Sequence, residues 1–207
     1  MARKMFKEGR KYTFSDYFEM GNPTEEIVTE FGYSFLIQSL NLPKDNKVEK
    51  KLLEDISNSY YSLVPKVSLN SEIAKRELMI APLLHALIKT IDARLNIEYP
   101  IEIDDRLSGT IDYLIRSSQE LIVIEAKKGD LEKGFNQLAV EMIAIDIYEN
   151  KNTPPILYGA ITIGEVWRFS VLEREKKVLV KDIHTFRFPE DIEDIFYILK
   201  GILTKEA

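Results

Sequence analysis

The chain has no cysteine, one tryptophan and two histidines among its 207 residues. The first absence excludes disulfides, thiolate metal sites and a cysteine nucleophile, and it fits a reducing cytoplasm. His85 and His184 fall in distant segments, so a histidine-rich metal centre is excluded as well. No uninterrupted apolar run is long enough to span a bilayer, and the basic start, Met1 to Lys11, is followed by no apolar stretch. It reads as neither signal peptide nor anchor, and no membrane association is expected. No Gly-x-Ser-x-Gly elbow is present for serine hydrolase chemistry. Gly129-x-x-x-x-Gly134 has Phe135-Asn136 where a phosphate loop needs Lys-Ser/Thr, so nucleotide binding fails too.

What is present is an ordinary globular composition, 45% hydrophobic and 30% charged, with a net charge of −6. That balance argues against strong non-specific binding to phosphates. One local exception is the cluster Arg3, Lys4, Lys7, Arg10 and Lys11, which reads most simply as a solvated arm. Residues 1–65 form an N-terminal arm and helices packing on a core of residues 66–207, within a single domain overall. A helix starts at Asn22-Pro23-Thr24-Glu25-Glu26 and runs on Ile27, Phe31, Phe35 and Leu36 to about Leu40. Another spans Lys47 to Leu63. A third begins after Asn70 or Ser71 and reaches Thr90, broken or kinked near Pro82. Strands follow at Asn96–Ile103, Leu107–Arg116 and Gln119–Lys127, then a helix at Leu131–Glu149 and a strand at Ile156–Ile163. A hairpin of Val166–Leu172 and Lys177–Lys181 precedes a closing helix, Pro189–Leu203. The fold class is α/β, a mixed central sheet flanked by helices in the core order αβββαβ, with an N-terminal helical lead-in.

The most informative stretch is Gly109-Thr110-Ile111-Asp112-Tyr113 followed by Leu121-Ile122-Val123-Ile124-Glu125-Ala126-Lys127. Strand side chains alternate between faces, so Glu125 and Lys127 share one face with Val123 and Leu121. A turn centred on Ser118-Gln119 pairs Ser117 with Glu120, and the same register sets Asp112 opposite Glu125. Two carboxylates in that relation repel. A divalent cation between them would explain the arrangement. Acid-x-Lys triplets also occur at Asp45–Lys47, Glu49–Lys51, Glu149–Lys151 and Glu175–Lys177, all in polar stretches where solvated charge suffices. Only Glu125-Ala126-Lys127 closes an apolar strand with an aspartate facing it.

With these residues the chain resembles the PD-(D/E)xK phosphodiesterase superfamily, the restriction-endonuclease-like nucleases. That pattern places an acid on the first core helix, an aspartate on the second strand, (D/E)-x-K on the third and a polar residue, often glutamine, on the next helix. Glu77, Asp112, Glu125 with Lys127, and Gln137 stand in those places, with Ile111 where the pattern has proline. The resemblance covers Asn70 to Ile163 and implies a restriction-endonuclease-like core and a metal-dependent endonuclease acting on nucleic acid, DNA above all. It implies Mg²⁺ or Mn²⁺ held by Asp112, Glu125 and the Ala126 carbonyl, with Glu77 as a further ligand. Lys127 would orient or deprotonate the attacking water, and Gln137 would position Lys127 or a phosphate oxygen.

Plainer readings stand beside these. The plainer reading of Asp112 is a solvated strand-edge acid and that of Glu125 and Lys127 a weak surface pair, and the functional reading is preferred for all three. Glu77 falls on the seam of Ile73, Ile80 and Leu84; Glu72 is its competitor, already explained by the helix dipole. Glu141, one turn from Gln137, reads as a rim residue. The competing function is a catalytically idle nucleic-acid-binding or assembly module. The acidic balance also suits a homodimer or a partner subunit that supplies basic surface.

Overall fold

The structure is a computed structural model and describes residues 5–117, 121–127, 129–149 and 154–204. An eight-stranded mixed sheet runs through the molecule, β1 (Ser34–Gln38), β2 (Arg94–Glu102), β3 (Ser108–Arg116), β4 (Leu121–Ala126), β5 (Ile156–Thr162), β6 (Val166–Glu173), β7 (Val178–Asp182) and β8 (Phe186–Arg187). Their order across the sheet is β1-β7-β6-β5-β4-β3-β2, with β8 paired to β6. β4 and β5 are parallel, as are β1 and β7; the other pairs are antiparallel.

Parallel neighbours need a crossover. Between β4 and β5 it is α6 (Leu131–Tyr148), which Asp130 caps by accepting from the Glu132 and Lys133 amides. Every residue from Gly134 to Ile145 is buried, because the sheet lies beneath α6 while α1 (Phe14–Glu19) and α2 (Thr24–Thr29) cover it. The opposite face of the sheet carries α3 (Lys50–Leu63), α5 (Ala81–Thr90) and α7 (Ile192–Thr204) over Tyr113, Ile115, Ile122, Ile124 and Phe169. The observed core order is helix, three antiparallel strands, helix, parallel strand.

Three expectations need correction. The helix expected to reach Leu40 stops at Thr29. Gly32 takes a left-handed φ of +79°, and the Tyr33 amide turns back to the Val28 carbonyl. The chain then extends as β1, and Phe35 packs against Phe135 with ring centroids 6.0 Å apart. The lead-in is therefore not wholly helical, since it donates an edge strand to the sheet.

The helix expected from Ser71 to Thr90 is α4 (Glu72–Lys75), a five-residue π turn (Arg76–Ile80) and α5. Pro82 has no amide hydrogen and its ring crowds the carbonyl four residues back, which accounts for the widened turn before it. That turn changes the helix phase, and Ile73 is 70% exposed rather than part of a buried seam.

Lys7, Arg10 and Lys11 of the basic arm are exposed, as a solvated arm requires, but the described part of the arm is also anchored to the core. Phe6 stacks edge-on against Tyr12, Tyr17 and Phe31. Arg10 pairs with Asp16 at 2.5 Å, and Lys11 lies 3.4 Å from Asp105. Arg3 and Lys4 lie outside the described residues, as do residues 118–120 of the expected turn and the side chains of Leu121, Val123 and Ala126.

Candidate active site

β3 and β4 pair as Arg116↔Leu121 through Tyr113↔Ile124. The ladder ends there; continued by one step its register would set Asp112 opposite Glu125, as expected from alternation and turn length, and the Asp112 charge is felt at Glu125. Both lie on the sheet face beneath α6, since Tyr113 and Ile124 belong to the core of the opposite face. Lys127 follows the last residue of β4, and its Nζ lies 2.6 Å from Glu125 Oε1. The strand end thus brings Asp112, Glu125 and Lys127 together, and none of the three is a solvated surface group: Glu125 is wholly buried and Asp112 is 8% exposed.

The helix above comes close because it carries no side chain at Gly134. A Cβ there would meet Ile161 Cδ1 at 2.9 Å and Lys127 Cγ at 3.1 Å. From the other side the Phe18 ring centroid lies 5.6 Å from Lys127 Nζ. Lys127 is therefore held between α6, α1 and Glu125. Burial is the largest influence and disfavours its ammonium, but the Glu125, Glu72 and Asp112 carboxylates together outweigh it and keep the pKa above the usual lysine value.

α6 adds a residue that the sequence reading assigned to the rim. Glu141 is wholly buried, on the same helix face as Gln137, whose Nε2 donates to Glu141 Oε1 at 2.9 Å. Its carboxyl meets that of Glu125 within hydrogen-bonding reach. Burial pushes the Glu125 carboxyl up to about 8, with the Asp112 charge adding to the effect and Lys127 opposing it. Burial, then the charge of Glu125, raises Glu141 well above the carboxylate range. Two buried carboxyls in contact retain a proton between them. The signal for Glu141 was available, a lone acid inside the apolar run Leu138 to Ile145, but its partner is on a different element. Gln137 is spent on Glu141, and no hydrogen bond runs from it to Lys127 among the described residues.

Arg76, at the start of the π turn, is a second residue not singled out from sequence. Its Nη1 lies 3.3 Å from Asp112 Oδ1 and 2.6 Å from Glu98 Oε1. Its Nε donates to the Tyr113 hydroxyl at 3.4 Å. The repulsion expected between Asp112 and Glu125 is thus met by two cations, Lys127 and Arg76. Glu77 is exposed on the π turn and its charge is felt at Tyr113, whereas the charge of Glu72 reaches Lys127.

Among the described residues no three histidine, aspartate or glutamate side chains converge to hold an ion. A cation here would rest on Asp112, Glu125 and main-chain oxygen. The donor chemistry fits a hard divalent ion. Glu125 is wholly buried, with the Lys127 ammonium and the Glu141 carboxyl as its polar neighbours, a costly setting for a carboxylate that a divalent ion would ease. Ala126, whose carbonyl would complete the set, ends β4 between Glu125 and Lys127 and pairs with Thr162.

No protein-family model and no curated protein matches the chain. The fold and site alone define its class, an α/β protein with a mixed eight-stranded sheet and a buried carboxylate–lysine cluster at one strand end. No helix among the described residues is long and apolar enough to cross a membrane.

Proposed function

We propose that this chain is a metal-dependent nuclease of the restriction-endonuclease-like type, hydrolysing phosphodiester bonds in nucleic acid, DNA above all. The observation that carries this reading is the triad of Asp112, Glu125 and Lys127 at adjoining strand positions, with Glu125 wholly buried and Lys127 Nζ 2.6 Å from its Oε1. Asp112, Glu125 and the Ala126 carbonyl would hold Mg²⁺ or Mn²⁺. Bound there, the ion supplies Lewis acidity and a water of lowered pKa. Lys127 presents a compact positive charge beside the reacting phosphate and a group able to hold or release a proton at Nζ. Glu141, tied to Gln137, fixes the rear of the Glu125 carboxyl. Cleavage of single-stranded, duplex and branched DNA, with RNA alongside, tests this. Activity requires Mg²⁺ or Mn²⁺ and falls by about 10²-fold or more in Glu125→Ala and Lys127→Ala. Undiminished cleavage by Lys127→Ala sinks the assignment.

The idle-module reading has one specific observation in its favour. Each candidate ligand already has a protein cation beside it, Lys127 at Glu125 and Arg76 at Asp112. Binding of nucleic acid without cleavage under any divalent ion would select it.

A further inference from the structure

Arg76 is placed where it has two carboxylates to choose between. The β2–β3 ladder runs from Ile97↔Tyr113 to Tyr99↔Ile111 and skips Glu98, which stands opposite Asp112. Glu98 has a left-handed φ of +53°, a conformation unfavourable for a residue with a side chain. Asp112 is thus flanked by Glu125 on one strand and Glu98 on the other. The Arg76 side chain, mostly buried, reaches this row from the π turn, and its Nη1 touches both Asp112 and Glu98. Glu98 is the closer partner, and its side chain is 55% exposed.

We propose that Arg76 is the internal counter-ion of the metal site and that Glu98 is its alternative partner, so that this pair sets the affinity of the site for a divalent cation. The inference rests on the nuclease reading for the identity of the site. Arg76 on Asp112 competes with a cation for the same carboxylate. Glu98 draws Arg76 toward itself and leaves Asp112 more available to the cation. Glu98 is therefore a positioning residue that acts through Arg76 and never touches the ion.

Direct through-space attraction would also make a cation prefer Glu98 intact and Arg76 absent, so the signs of two single variants do not separate the two accounts. A double-mutant cycle does. Mn²⁺ dissociation constants would be measured by electron paramagnetic resonance and calorimetry on the wild type, Arg76→Gln, Glu98→Gln and the double variant. We expect Arg76→Gln to bind Mn²⁺ about fivefold more tightly and Glu98→Gln about fivefold more weakly. In the Arg76→Gln background, the Glu98 substitution should then change almost nothing.

An equal effect of Glu98→Gln in both backgrounds overturns the inference in favour of plain electrostatics. So does wild-type binding that neither substitution alters, which leaves the nuclease reading standing. Wild-type protein that binds no Mn²⁺, or Glu125→Gln that binds it as well as wild type, overturns the site assignment and the inference with it. Should Arg76→Gln lose its thermal transition, Arg76→Met keeps the apolar stem in place and serves in the same cycle.

Discussion

At the residue scale, the site is a problem of buried charge. Asp112, Glu125 and Glu141 face Lys127 and Arg76, and the proton retained by the Glu125–Glu141 pair keeps this group near balance. Both carboxyls have folded pKa values above their unfolded ones, so between those values the folded state holds more protons. Their contribution is fully favourable below the ordinary carboxylate pKa and is lost as pH rises through the raised values. The metal-free protein should accordingly lose thermal stability as pH rises from the ordinary carboxylate range through the Glu125 value of about 8. Glu141→Gln keeps an acceptor for Gln137 Nε2 and removes one titrating group. It should flatten this profile and melt higher than wild type at the alkaline end. A gain on the order of 1 kcal/mol would appear as roughly 2–4 °C. A variant that melts lower at every pH would show that Glu141 is held as a carboxylate by something stronger than burial opposes.

At the scale of elements, two helical glycines permit close approaches with different consequences. Gly134 lets α6 pass over Lys127 and Ile161, and the atoms that a Cβ would meet, Ile161 Cδ1 and Lys127 Cγ, belong to side chains and not to backbone, so they can shift. Gly134→Ala should therefore leave the melting temperature nearly unchanged, helped by the better helix propensity of alanine. Displacement of Lys127 should lower turnover by about tenfold or more. Gly201 on α7 is different. A Cβ there would lie 2.6 Å from Lys44 N, Lys44 Cα and the Pro43 carbonyl, all of them backbone. Gly201→Ala should cost roughly 1–3 kcal/mol by overpacking, with turnover per folded molecule preserved. Thermal melts and single-turnover rates on both variants check the contrast; equal loss of activity in the two would refute it.

At the scale of the molecule, the N-terminal segment is part of the core. α1 and α2 bury Phe14, Tyr17, Ile27 and Val28 over α6, Phe18 closes on Lys127, and β1 extends the sheet. Removing residues 1–11 takes Phe6 from its aromatic cluster and Arg10 from Asp16. The truncated protein should melt lower by a few kcal/mol at most, about what one large aromatic contributes. On the proposed nuclease reading, its nucleic-acid affinity should keep nearly the same salt dependence, since Arg10 and Lys11 already pair with acids of the chain. A markedly shallower salt slope would return these cations to the binding surface. With a net charge of −6, any strong grip on phosphates is expected to come from a limited patch or a partner.

Local periodicity was sufficient wherever the relevant neighbours are close along the chain. Alternation in Asp112–Tyr113 and Ile124–Lys127 was enough to set the face of the carboxylates, and of the two N-cap candidates Asn70 and Ser71 it is Ser71 that accepts from the Ala74 amide. The helical spacing of Ile27, Phe31 and Phe35 misled, because sheet pairing with β7 and the left-handed Gly32 outweighed a weak local preference. Glu141 was visible as an acid in an apolar run, and Arg76 as one cation among many. Their meaning came from tertiary structure alone. The sheet, the crossover helix and a π turn bring together side chains far apart in sequence, and burial there turns ordinary charges into groups that must answer one another.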